Sequence, residues 1–239
     1  MAELEFKSLL DWEKPNYQRI WDLQKNLVSA VATRHSPETV LFCEHESVVT
    51  LGRRSHATNV LSKDLPQFEI ERGGDVTYHG PGQLVIYPIL RLSGEIFPRG
   101  LHEYLRMLEE VIIQALHEFH LDAGRFGPTG VWVRQKRSMT VRKIASIGVA
   151  VRRWVTYHGA ALNISNAISD FSSIRPCDFD SSIMTSMQVE GVSVNLKEME
   201  ERISSILQAH CPGARTRKEF GGSDHFVQRS SQLLADRLN

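Results

Sequence analysis

Between Arg72 and Tyr87 the chain reads RGGDVTYHGPGQLVIY, and this run constrains the fold more than any other. Five glycines and prolines surround one Arg, one Thr, one His and one Gln, and the run passes without a break into apolar residues. Glycine is used where the main chain must take positive φ or where a ligand comes close to it. Such a run describes a loop shaped around something and feeding directly into a strand. It matches neither the dinucleotide-binding glycine fingerprint nor the phosphate-cradling P-loop. Arg72 beside Gly73 and Gly74 offers a rigid donor fork for a carboxylate, phosphate or carbonyl. A purely structural turn between two strands is the competing reading.

Around this loop, strand-like and helix-like stretches alternate. After Pro15, the apolar positions Ile20, Trp21, Leu27, Val28 and Val31 share one helical face. Ser36-Pro37 ends that pattern. Val40 to Phe42 and Val48 to Leu51 read as short strands separated by the polar turn Glu44-His45-Glu46. Leu84 to Leu92 reads as a strand, with Pro88 predicting an edge position or a bulge. Glu103 to His120 is the clearest amphipathic helix. Further strands are expected at Gly130–Val133, Ile144–Val151 and Ala160–Ile164, and a second amphipathic helix at Leu196–His210. The polar, basic stretch from Arg134 to Arg142 reads as a solvated connection. The pattern predicts one α/β or α+β domain, a mixed β-sheet core with flanking helices, over residues 1–213. Residues 214–239 read as a polar tail with a short helix near Leu233-Leu234.

The bulk numbers exclude several classes. A chain of 239 residues can bury a full core. Lys+Arg and Asp+Glu are both 28, so no global basic field draws in nucleic acid. No stretch reaches the length of a membrane span, so no membrane partner is expected. The N-terminus resembles neither a secretory signal nor a transit peptide. The three cysteines, Cys43, Cys177 and Cys211, form no CxxC pair and have no metal-like spacing to His. A reducing compartment, by default the cytoplasm, and a site without metal are the expectation.

Cys177 stands apart from the other two because it follows Ile-Arg-Pro in a run of small and polar residues. A free thiol is mostly protonated at neutral pH, so a reactive Cys177 needs a cation or base beside it. Lys143, where a charge meets the apolar strand KIASIG, is one such partner. His79 and His158, both in Tyr-His-Gly, are others. Residue types and spacing leave a Cys–Lys pair and a Cys–His arrangement equally open.

Taken together, Glu44-His45, Thr50 to Arg53, RGGDVTYHGPGQLVIYP, Thr129 to Val133, KIASIGVAVRRWVTYHGAALNI and IRPC followed by Thr185-Ser186 resemble the octanoyltransferases of lipoate biosynthesis. The resemblance covers roughly residues 40 to 190, with the motifs in the family's order. It implies the mixed-sheet fold shared with biotin and lipoate protein ligases. It implies transfer of an octanoyl group from octanoyl-acyl carrier protein to a lysine of a lipoyl domain, in a 2-oxoacid dehydrogenase or the glycine cleavage protein. It assigns the nucleophile to Cys177 and the pKa-lowering lysine to Lys143. Substrate-binding positions fall on Arg72, Gly73, Gly74, Asp75, Val76, Thr77, Tyr78 and His79, on Ser146, Ile147 and Gly148, and on Gly159, Ala160 and Ala161. No cofactor is implied, because exchanging one thioester for another is near thermoneutral and needs no ATP. One departure stands out: the family places Gly after the catalytic Cys, whereas this chain has Asp178.

Overall fold

The computed structural model describes residues 3–12, 16–93, 97–135, 140–176, 179–211 and 214–219. Cys177, Asp178, the middle of the basic connection (136–139) and the helix expected near Leu233 lie outside the described residues.

Eight strands form one mixed sheet. They are β1 (Glu3–Ser8), β2 (Glu38–Cys43), β6 (Gln83–Ile89), β7 (Ala123–Gly124), β8 (Val131–Arg134), β9 (Val141–Arg152), β10 (Val155–Asn163) and β11 (Arg215–Glu219). Their order across the sheet is β11-β1-β2-β6-β10-β9-β8-β7. β1 pairs in parallel with both β2 and β11, and the remaining neighbours are antiparallel. A second sheet of three strands, β3 (Val48–Leu51), β4 (Gln67–Glu69) and β5 (Val76–His79), has β3 at its centre. The sequence showed β3 but not its partners: β5 lies inside the stretch read as a loop. β1 was also missed, although Leu4 and Phe6 alternate with Glu5 and Lys7 as a strand requires. β11 begins within the segment read as a polar tail, so pairing in the main sheet extends past residue 213.

Helix α1 (Tyr17–Ala32) covers one face of the main sheet, packing Ile20, Leu23, Leu27 and Val28 on Leu41, Val85 and Ala161. Helices α2 (Leu101–Glu118) and α3 (Leu196–Ala209) cover the other, over Phe42, Leu84, Ile86 and Leu162. Asparagines start two of the helices: Asn16 accepts from the Arg19 N–H at 2.9 Å and Asn195 from the Glu198 N–H at 2.8 Å.

Pro88 does not mark an edge, because β6 lies in the sheet interior between β2 and β10. The Pro88 carbonyl accepts from the Thr156 hydroxyl at 2.8 Å, which places this residue's polar side, and its missing N–H, toward β10. Opposite it the ladder opens. His158 takes φ +56° and its N–H turns away to the Gln24 side chain at 2.8 Å. That bond explains a buried glutamine on the apolar face of α1. A Cβ on Gly159 would come within 2.1 Å of the Ile86 carbonyl and 2.7 Å of the Pro88 ring, so only glycine fits there. Thr156 repairs the gap, since its hydroxyl also accepts the Leu90 N–H at 3.0 Å. Replacing Thr156 by the near-isosteric Val leaves these groups unpaired in a fully buried position. The expected cost is about 1–3 kcal/mol, read as a lower urea midpoint at unchanged m-value.

Candidate active site

A cavity of about 260 Å³ opens where the small sheet meets strands β6, β9 and β10. The main chain builds the junction. The Gly73 N–H donates to the Val149 carbonyl of β9 at 2.9 Å. The Arg53 and Arg54 N–H groups donate to the carbonyls of Arg72 and Gly74, both at 3.0 Å. The Arg72 side chain points inward, donating through Nη2 to the Thr50 carbonyl (2.8 Å) and hydroxyl (3.0 Å). It lies across Gly148, where a Cβ would stand 3.0 Å from the Arg72 Cδ and 2.8 Å from the Gly73 carbonyl. Asp75 is committed to the loop as well: its carboxylate accepts from Asn59 Nδ2 at 2.6 Å.

Arg72 to Thr77, His79, Lys143, Ser146 to Gly148, and Gly159 to Ala161 all line this cavity. Tyr78 does not. The alternation of β5 turns it to the opposite side, where its hydroxyl donates to Asp170 at 2.8 Å and its ring meets Phe171 edge-on. Cys177 lies outside the described residues, but its neighbour Pro176 is part of the cavity lining. The sequence missed Tyr17 and Tyr87 as lining residues. Tyr87 was legible only as a strand position, and Tyr17 carries no local signal beyond its place at the start of α1.

These tyrosines belong to a buried cluster with three histidines. Tyr17 packs against His45 and Phe68 at 5.1 Å and against His79 at 6.2 Å between ring centroids. His45 Nε2 lies 2.9 Å from the Tyr87 hydroxyl. His79 Nδ1 lies 2.8 Å from Gln83 Oε1. The Gln83 amide nitrogen donates to Asn163, so its oxygen accepts and the His79 proton belongs on Nδ1. His158 Nε2 is 3.5 Å from Glu71. Burial pushes all three imidazoles down, His45 to about 3 and His79 and His158 to about 4. Burial likewise keeps the hydroxyls of Tyr17 and Tyr87 protonated. The cluster is therefore neutral at ordinary pH.

Lys143 enters the cavity from β9. Its Nζ stands 5.6 Å from the centre of the Trp132 ring. Gly130, at φ +129°, makes room for the stem: a Cβ there would come within 2.7 Å of the Lys143 Cε. The turn carrying Gly130 is anchored from behind by Glu109 of α2, which is buried. Glu109 Oε1 accepts the Gly130 N–H at 3.1 Å, while Oε2 accepts from Arg106 at 2.7 Å and Arg125 at 2.9 Å. Trp132 is fixed in turn by its Nε1 donating to the Pro128 carbonyl at 2.8 Å. This ion-bonded support was not legible, because a glutamate on a charged helix face reads as solvated. Among the described residues no group of three His, Cys, Asp or Glu is arranged to hold a metal ion, and no helix is long and apolar enough to cross a membrane.

The family model for the lipoyl protein ligase A/B catalytic domain matches residues 16–208. The octanoyltransferase of Syntrophotalea carbinolica is 42% identical over 205 residues, covering 83% of this chain and 93% of its own. The chain belongs to the octanoyltransferase family. That of Geobacter metallireducens is 45% identical over 178 residues, covering 74% and 80%. Among solved structures, a bipartite lipoate protein ligase from Thermoplasma acidophilum superposes with a TM-score of 0.67 at 16% identity, covering 99% of this chain and 93% of its own. At that identity the likeness is one of fold. As an octanoyltransferase, this chain is a transferase of protein lipoylation with the mixed-sheet fold of the lipoate ligases.

The neutral histidines give the fold a pH signature. In an unfolded chain they titrate near about 6.5. The unfolded state therefore binds up to three more protons than the folded state as pH falls from about 6.5 toward about 4. Their contribution to stability is complete above that window and declines through it. Denaturant midpoints measured across the window are expected to fall steeply, and less steeply in His79→Gln.

Proposed function

We propose that this octanoyltransferase takes its acyl group from octanoyl-acyl carrier protein, holds it as a thioester on Cys177, and passes it to a lysine of a lipoyl domain. The observation that carries the reading is that Lys143 and Pro176, the residue preceding Cys177, line one cavity. The Cys177 thiolate attacks the thioester carbonyl carbon, and the carrier's thiolate leaves with a proton from the Lys143 ammonium. The amine of the acceptor lysine then attacks the acyl-cysteine. Neutral Lys143 takes the amine's surplus proton, and the Cys177 thiolate leaves. The first exchange is thioester for thioester and the second makes an amide, so no ATP enters. The Lys143 ammonium favours the thiolate electrostatically.

Ile147, Val85, Ala160 and Ala161 are among the apolar residues of the lining, as an octanoyl chain requires. Each buried methylene contributes about 0.8 kcal/mol. Arg72 to Thr77, His79, Ser146 to Gly148 and Gly159 to Ala161 are the residues we assign to the substrate. Arg72 and Asp75 line the cavity and also hold its loop in place, through Thr50 and Asn59. Acceptors are lipoyl domains of 2-oxoacid dehydrogenases or the glycine cleavage protein. A reducing compartment such as the cytoplasm keeps Cys177 free for attack.

Protein mixed with octanoyl-carrier protein is expected to gain one octanoyl mass on Cys177, and Cys177→Ser is expected to lose it. Absence of the adduct, or an absolute ATP requirement for octanoylating an apo lipoyl domain, would overturn the mechanism. Lys143→Met is expected to move the alkylation titration of Cys177 to higher pH. An unchanged titration removes Lys143 from this role.

A further inference from the structure

The hairpin between β9 and β10 turns through Arg153 and Trp154, both in the left-handed region at φ +53° and +60°. Two-residue turns of this hand favour Asn-Gly, and bulky side chains are disfavoured there. The tip is nevertheless well anchored: the Leu92 N–H donates to the Trp154 carbonyl at 2.8 Å. The indole it carries is 68% exposed. A disfavoured conformation that holds a large apolar ring in water points to a contact made by that ring.

Four guanidiniums accompany it. Arg152 and Arg153 are exposed on the hairpin. Arg53 and Arg54 are exposed on the turn that is bonded to the glycine-rich loop, and Arg54 lines the cavity. The main chain joins the two pairs: Arg53 and Arg54 are bonded to the carbonyls of Arg72 and Gly74, and the Gly73 N–H between those two donates to Val149, three residues before Arg152 on β9. None of the four makes an ion pair among the described residues, whereas Arg106, Arg125, Arg134 and Arg202 all do. The nearby acid, Glu71, is hydrogen-bonded by Trp21 Nε1 at 3.1 Å and faces His158. These four exposed guanidiniums, without an ion pair among the described residues, form a basic group that begins at the cavity with Arg54.

We propose that this group, with Trp154 as its apolar anchor, is the docking surface for the protein that carries the acyl donor, through a carboxylate-rich face of that protein. The proposal rests on the transfer reading above. Charge favours the donor's carrier over the acceptor domain. The acceptor brings a lysine, whose ammonium the same group repels. Arg and Trp are the side chains that dominate interface energies, and a basic group speeds encounter with an acidic partner.

The test compares two octanoyl donors, the carrier protein and the small thioester of N-acetylcysteamine, in the wild type, Arg152→Glu/Arg153→Glu and Trp154→Gly. Both variants are expected to lower kcat/KM for the carrier donor by about tenfold or more, through KM. The charge reversal is also expected to flatten its salt dependence. Turnover of the small thioester and KM for the lipoyl domain should stay unchanged. Glycine suits the turn, so Trp154→Gly should keep or raise Tm while weakening docking. Equal losses with both donors, a loss confined to KM for the lipoyl domain, or no change each overturn the proposal. Fluorescence anisotropy of dye-labelled carrier reads docking without turnover. Failure of the transfer chemistry is therefore distinguishable from failure of the docking.

Discussion

The hydrogen bonds from the Arg72 guanidinium to Thr50, with the Gly73 N–H on Val149, tie the three-stranded sheet to the eight-stranded one. Everything at the cavity depends on this tie. It closes one wall, presses the glycine-rich loop against Gly148, and carries Arg53 and Arg54 to the rim. A buried arginine is an expensive choice for a joint unless its donors are satisfied. Here the Thr50 carbonyl and hydroxyl accept from Nη2 and the Gly73 carbonyl from Nη1, so the joint has a defined geometry. Arginine's planar fork gives such definition, which a lysine could not reproduce.

Much of the fold was legible because its long elements carry strong periodicity. α2, with Tyr104, Leu108, Val111, Ile112 and Ala115 inward, differs by only two residues at each end from the stretch that the sequence outlined. The short elements were less visible. β5 is four residues long and each is buried, so it shows no alternation, and its Thr, Tyr and His read as a polar loop. Pro88 reads as an edge or a bulge because proline is usually kept from sheet interiors; the edge fails, and the ladder opens opposite it. The structure admits it by combining a glycine, a left-handed histidine and a threonine hydroxyl drawn from strand β10.

The site was legible by chemistry and not by neighbourhood. Lys143 and the loop from Arg72 were singled out from residue type, and they line the same cavity. Their supports were hidden: nothing local says that Glu109, twenty-one residues upstream of Gly130, holds the turn beside Lys143. Tyr78 shows the opposite case. Lying within a motif is no guarantee of facing the cavity, because a strand sends alternate side chains to opposite sides.

The sheet order bears on how the molecule is assembled. β1, the first described strand, lies between β2 and β11, and β11 is the last described strand. Until the ribosome has released residue 219, one side of β1 has no partner for its ladder. An unpaired strand is a template for pairing with other chains. Glu5 and Lys7, 3.2 Å apart, place opposite charges on that strand, and the sequence of β11, RTRKE, holds no apolar residue. The nascent chain thus waits with a polar edge until this late strand arrives.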